Sequence, residues 1–349
     1  MATATIRSGG TCRWGPNTNI YPIDNSSSLD AGETVTVLWQ EGDFYYLEYK
    51  VTGTNKVKRM YYPKNKVNTP SGSVPVRNFD KGVRYVTVAG SVLYSPNVAS
   101  PSAGSLGRLE SVRFLSEAGS SVTKENGFAF VEYTVTNTNT KKRAWFPSAT
   151  LRLAPNITSP STVYASTSAL SSSQQTANAT YIFNYLRDLG ISKQAACAIL
   201  GNIQAESGIN PGIWEVVSDP PATTSDGYGL IQWTPATNFL NHAVDDGIIS
   251  AATKSAINNY ASSNPKGLMA AEMECLIWCF VAHGDYLLPS ETGETNNTGY
   301  EMTFSEFISS SLPAATLAIV FHDHYVRSNN PFSLDEREEY ATYWYNQLA

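Results

Sequence analysis

Two stretches of this chain repeat each other at a constant offset of 84 residues. "FYYLEYKVTGTNKVKRMYYP" (44–63) lies over "FAFVEYTVTNTNTKKRAWFP" (128–147), so Glu48-Tyr49 meets Glu132-Tyr133, Arg59 meets Arg143, and Tyr61-Tyr62-Pro63 meets Trp145-Phe146-Pro147. A repeat of this kind means two copies of one folding unit. Within each copy apolar and polar residues alternate with period two, rich in aromatic and β-branched types, as in "ETVTVLWQ" and "FYYLEYKV". Polar turn clusters, "VTGTNK" and "TNTNTKK", separate the strands. Short strands with frequent turns predict two small all-β barrels, at 1–75 and 76–156.

The strand-ending "YYP" and "WFP" resemble those of bacterial SH3-like cell-wall-binding modules. That resemblance implies wall anchoring, and tethering two weak sites to a repetitive polymer makes one stronger one. Charge fits the idea: residues 1–155 carry 18 Lys+Arg against 11 Asp+Glu, the remainder 6 against 19. Lys56, Lys58, Arg59, Lys141, Lys142 and Arg143 recur at matching places and suit anionic wall polymers. Basic hairpins are equally the solvated edges that prevent sheet aggregation. Without a larger positive excess or a nucleic-acid motif, no nucleic-acid partner is expected.

"APNITSPSTVYASTSALSSSQQTANAT" (154–180) is rich in Ser, Thr and Ala and reads as a linker, placed at 157–175. Beyond it, at 176–349, the pattern turns helical. "NATYIFNYLRDLG" stops at Gly190, Ser192 can cap "KQAACAILGNIQAES", which Gly208 ends, and "AAEMECLIWCFVAHG" is apolar nearly all round, as a buried central helix is. Near the end, Tyr340, Tyr343 and Trp344 share a helix face. The fold class is therefore multidomain α+β: two β modules, then a mainly helical domain. Cys12, Cys197, Cys275 and Cys279 form no C-x-x-C pair and read as buried free thiols, which fits a reducing cytoplasm. No apolar run approaches a membrane span, and the N-terminus lacks a secretory signal pattern. The expectation is synthesis in a host cytoplasm, release by other means, action on the cell wall, no membrane partner and a monomeric state.

The candidate chemistry lies in "NIQAESGINPGIWE" (202–215) and "SDGYGLIQW" (225–233). Ala196, Ile199, Leu200 and Ile203 form an apolar stripe, and Glu206 follows Ile199 by seven residues, about 20° away around a helix. It points with the apolar face, near the negative end of the helix dipole, and both effects favour the protonated form that a general acid needs. Taken together, "ESGINP…GYGLIQW" resembles the lysozyme-like superfamily in its goose-type and lytic-transglycosylase branch, and the phage-tail lysozyme family in particular, over roughly 178–349. The resemblance implies that Glu206 is the catalytic acid on a β-1,4 link of peptidoglycan. Ser207 would orient a substrate group, and glycines 227 and 229 would let backbone approach the sugar. Gln232 would hydrogen-bond hydroxyl or N-acetyl groups. Tyr228, Trp233 and Trp214 can stack on sugar faces, although each alone is more often a core aromatic. Glu215 and Asp226 are both candidates for a second carboxylate, whose distance from the acid separates inverting from retaining hydrolysis. A lytic transglycosylase needs none, since the sugar's C6 hydroxyl attacks. The family position of Glu215 favours a hydrolase, and modest size favours an endolysin. No cofactor and no metal are expected.

The rivals are a Cys/His peptidase, a lytic transglycosylase using the same site, and a tail-associated wall-binding protein with weak or no activity. Cys197 sits on an apolar helix with nothing to expose it. Of His242, His283, His322 and His324, the pair in "HDH" diverges by about 200° on a helix, so surface or capping roles are expected rather than metal ligation.

Overall fold

A computed structural model describes residues 1–117, 124–136, 138, 140–215, 223–328 and 333–349. The chain divides after Ala154 into a β unit and a helical unit.

In the β unit, β1 (Ala2–Thr5), β2 (Gly10–Arg13), β3 (Ile23–Leu29), β4 (Thr34–Glu41), β5 (Phe44–Lys50) and β6 (Val57–Pro63) form one antiparallel sheet in the order β1-β4-β5-β6-β2-β3. The second sheet holds β7 (Asp80–Val86), β8 (Gly90–Leu93), β9 (Ser102–Leu106), β10 (Ser111–Ser116), β11 (Lys124–Glu125), β12 (Phe128–Thr134), β13 (Lys141–Pro147) and β14 (Leu151–Leu153). Its order is β14-β7-β10-β12-β13-β8-β9, with β11 beside β12. From β7 to β9 this repeats the first sheet strand for strand. Both sheets are open paths, so the expectation of closed barrels is corrected. Alternation specifies a strand and its two faces, but closure depends on edge strands meeting, which no local pattern encodes.

What the repeat does encode is the contact between its copies. On β5 and β12, Tyr45, Leu47 and Tyr49, with Ala129, Val131 and Tyr133, join the core that runs through both sheets. The intervening Phe44 and Tyr46, with Phe128 and Phe130, face the other way into a second cluster that includes Trp39, Tyr61, Leu115 and Trp145. These two strands are buried on both faces. The second cluster is shared across a pseudo-twofold arrangement. Arg59 binds Glu125 at 2.6 Å and Glu48 at 2.7 Å; its counterpart Arg143 binds Glu41 at 2.9 Å and Glu132 at 2.9 Å. Every one of those partners sits 84 residues from its equivalent. Arg59 also lies over Trp145 at 5.6 Å and Arg143 over Tyr61 at 5.8 Å, and Trp145 Nε1 donates to the Tyr46 hydroxyl at 3.0 Å. The reciprocal geometry is that of an isologous dimer made within one chain.

Several recurring basic residues are therefore spent inside the unit. Arg59 and Arg143 pin the sheets together. Lys58 is buried and donates to the Ser26 carbonyl at 2.9 Å and Ser27 Oγ at 2.8 Å, and Lys142 lies over Trp14 at 4.5 Å.

The stretch expected to be a linker is packed on the helical unit, which begins at Pro155. Ile157, Val163 and Leu170 are buried. The Asn210 amide donates to the carbonyls of Ser166 and Ser168 at 2.8 and 2.9 Å, and Asn178 Nδ2 donates to the Tyr164 carbonyl at 2.8 Å. Ser171 then caps α1 (Ser172–Asp188), which starts earlier than the apolar spacing alone indicates. Low-complexity composition hid the few apolar anchors and the buried amides that hold the strap.

The remaining helices are α2 (Lys193–Ser207), α3 (Thr237–Asp245), α4 (Lys254–Ser263), α5 (Pro265–Trp278), α6 (Pro289–Thr292), α7 (Phe304–Ser309), α8 (Ala314–Phe321) and α9 (Ser333–Gln347). As expected, Ser192 caps α2 by accepting from Ala195 N, and Gly208 ends it in the left-handed region at φ +60°. Residues 195–203 of α2 are all buried, with α1, α7, α8 and α9 packed against it. The buried face of α9 is Arg337, Ala341 and Trp344, with Tyr343 exposed, so the expected Tyr340-Tyr343-Trp344 face is corrected. Among the described residues no helix is long and apolar enough to cross a membrane, and all four cysteines are free and buried.

Burial alone would raise the Glu132 carboxyl, but Arg143 and Lys81 outweigh it and hold the group at about 2. Its stabilising contribution is complete above the ordinary glutamate value near ~4.3 and is lost as pH falls towards 2. Arg143→Ala should destabilise the β unit by about 3–5 kcal/mol, since it leaves a buried carboxylate unpaired. Urea unfolding of the full chain at neutral pH measures this. The loss should shrink as the pH is lowered towards 2, and a loss independent of pH would contradict the assignment.

Candidate active site

Ser192 and Gly208 set the length of α2, and that length brings Glu206 to its last turn. The carboxylate stays partly exposed and lines a cleft of about 810 Å³. Its Oε1 accepts from Arg337 Nη2 at 2.5 Å. Arg337 is buried on α9 and also donates through Nη1 to Asn202 Oδ1 at 2.9 Å. Asn202 stands one turn before Glu206 on α2. Gly201 permits this closeness: a Cβ there would lie 2.6 Å from the Arg337 carbonyl and 2.8 Å from Ala341 N. Trp344 completes the dock, donating to Gln204 Oε1 at 2.6 Å. The expectation of an acid shielded only by apolar surface is corrected, because a guanidinium compensates its charge.

The opposite wall is a small knot of extended backbone. Trp214 bridges to Tyr228, and Tyr228 to Trp233. Glu215 N donates to the Gly227 carbonyl at 2.8 Å, and Gly227 N returns a bond of 2.8 Å to Glu215 Oε2. Glu215 is thereby held at the rim, exposed, in the same cleft as Glu206. Gln232, at φ +51°, donates from Nε2 to the Gly229 carbonyl at 2.9 Å and lines the cleft, as do Trp214 and Trp233. Trp214 is fixed by donating to Asn258 Oδ1 at 2.9 Å, and Trp233 stacks on Phe239 at 5.2 Å. Ser207 also lines the cleft, with its hydroxyl turned back to the Ile203 carbonyl at 3.0 Å.

Two of the expected residues fall elsewhere. Asp226 caps its own turn, accepting from Thr223 N at 2.6 Å, and does not line the cleft. Tyr228 is fully buried between Trp214 and Phe239, below the cleft surface. Asp285, Tyr325, Arg327 and Ser328 line the cleft without having been anticipated from the sequence.

Residues 177–348 match the family described as phage tail lysozyme. They form a phage tail lysozyme domain. The chain is also 35% identical over 186 residues to "Morphogenesis protein 1" of Bacillus phage B103, an alignment covering 53% of this chain and 43% of that protein. The chain thus spans less than half the length of that relative.

The lysozyme domain contains a support that sequence reasoning missed. Glu272, on α5, is completely buried beneath the Gly227-Tyr228-Gly229 turn, and its Oε2 accepts from Leu230 N at 2.7 Å. Burial pushes its carboxyl well above the ordinary range, offset only in part by that N–H. Gly229, at φ +79°, has no room for a side chain because a Cβ would lie 2.7 Å from Glu272 Oε2. The glycine serves this buttress as well as the left-handed turn. The only sequence signal was a pair of glutamates, Glu272 and Glu274, within the apolar run of α5.

His322 and His324 are buried, which corrects the expectation of surface or capping roles. His324 bonds the Val320 carbonyl through Nδ1 at 2.7 Å and accepts from Met302 N through Nε2 at 3.2 Å. Burial pushes the thiol of Cys197 up to about 12, far from a nucleophile's range.

Glu272→Gln should preserve fold and cleft, since a neutral amide oxygen can still accept from Leu230. Glu272→Ala should cost about 1–3 kcal/mol through the unpaired N–H alone, and should lower activity by loosening the Gln232 wall. Thermal unfolding and turnover of the two variants, compared side by side, check this. Equal behaviour would remove the buttress role.

Proposed function

We propose that the protein is a virion-associated lysozyme that cuts the glycan backbone of peptidoglycan, with Glu206 as general acid. The observation that carries this reading is the convergence of Glu206, Glu215, Gln232 and two indoles on one cleft of the lysozyme domain. The family description and the relative's name support a role in the phage particle over a free endolysin.

In this reading Glu206 passes its proton to the glycosidic oxygen as the bond from the anomeric carbon breaks. Glu215, across the cleft, takes a proton from the water that adds to that carbon. Arg337 fixes Glu206 through Oε1 and leaves the other oxygen for substrate. Trp214 and Trp233, each 6% exposed, offer the sugar a narrow apolar strip of the cleft wall, and Gln232 retains Oε1 as an acceptor for a hydroxyl or N-acetyl N–H. A hydrolase is favoured over a transglycosylase because a second carboxylate shares the cleft. The β unit is proposed as the wall anchor. Its internally paired arginines join the two sheets, so it presents one composite surface to the wall.

Glu206→Gln preserves size and a hydrogen-bond acceptor while removing the transferable proton. It should abolish lysis of purified cell walls, a loss of at least a hundredfold, the usual scale of general acid catalysis being about 10²–10⁴. Sedimentation with walls should be unchanged. Lysis near the wild-type rate would sink the assignment of Glu206.

A further inference from the structure

Outside the cleft, α3 and α5 bring three ligand-type side chains to one place. His242 lies on α3, Asp246 follows one turn later at its C-terminal cap, and Glu274 comes from α5. His242 Nε2 is 3.3 Å from Asp246 Oδ2 and 3.6 Å from Glu274 Oε2. One ligand atom from each residue falls within 4.8 Å of the other two. The three side chains are only 9–12% exposed.

We propose that His242, Asp246 and Glu274 bind a divalent transition-metal ion of the Zn²⁺ type. Ligands at about 2.0–2.2 Å from tetrahedral zinc lie roughly 3.4 Å from one another, and both distances to the histidine nitrogen match that edge. An imidazole nitrogen with two carboxylates suits zinc, whereas Ca²⁺ takes about 6–8 oxygens and Mg²⁺ an octahedral, largely hydrated shell. A protonated imidazole is the simpler alternative, but Nε2 carries one hydrogen and can direct it at one acceptor. Two carboxylate oxygens converge on that nitrogen from different helices, an arrangement a cation between all three satisfies at once. Three protein ligands leave a fourth position for water.

None of the three residues lines the cleft, so the ion acts on structure. It ties the helix that carries Asn238 of the cleft wall to the helix that carries Glu272, the buttress of the glycine turn. Zinc would brace the floor of the site from behind. This inference stands whether or not Glu206 is the acid.

The test is metal binding by the full chain, first stripped with a chelator. Calorimetric titration with Zn²⁺ should give one equivalent bound and a raised Tm, with Ca²⁺ and Mg²⁺ binding at least tenfold more weakly. Asp246→Asn and Glu274→Gln should each weaken zinc binding at least tenfold. Should either variant fail to fold, the wild-type protein loaded with Co²⁺ still decides. A tetrahedral spectrum without thiolate charge transfer supports these ligands, and a thiolate band would assign the metal to cysteine. No zinc uptake by the wild type, or uptake unchanged in the two variants, would overturn the proposal.

Discussion

The contact between Arg337 and Glu206 is the one on which the cleft depends. It unites the last turn of α2 with the first turns of α9, two helices that come close enough only because residue 201 has no side chain. Arg337 reaches Asn202 and Glu206 together, so the position of the carboxylate is set by a residue 131 positions later in the chain. A glutamate at a helix C-terminus would otherwise face the negative end of the dipole without compensation. The guanidinium resolves that conflict and pre-organises the carboxylate, so little rotamer freedom remains to be lost when a substrate arrives.

The other side of the cleft is held by a different means. Glu272 is buried and bonded to backbone, burial pushes its carboxyl upward, and it fixes the loop that carries Gln232. One wall of the site is thus held by a guanidinium, and the other rests on a buried carboxyl bonded to backbone. In the β unit the arginine device recurs: Arg59 and Arg143 each hold a glutamate of their own sheet and one of the other. Such pairs contribute register and orientation more than net stability.

Much of this was legible in the sequence, and the omissions have physical causes. The offset of 84 residues implied two equivalent β modules, and helix phase alone did not show that Glu206 meets a guanidinium. The capping roles of Ser192 and Gly208 were visible because capping is local. Arg337 was hidden because its partners lie on a helix far away in sequence, and in "DEREEY" an arginine looks like one more solvated charge. Glu272 was masked by the apolar run around it. Alternation in β5 and β12 does not say what lies on each face, and one face is covered by the other repeat, which no pattern within a single repeat reveals. Aromatic identity likewise failed to distinguish Tyr228, a core residue, from Trp214 and Trp233, which line the cleft.

The central claim is that this cleft hydrolyses a glycan bond, and the products of digestion test it most directly. Purified sacculi digested by the protein, with fragments read by mass spectrometry, should yield new reducing sugar ends in step with lysis. Anhydro-sugar ends would transfer the chemistry to a transglycosylase. Free peptide termini without new sugar ends would contradict the account.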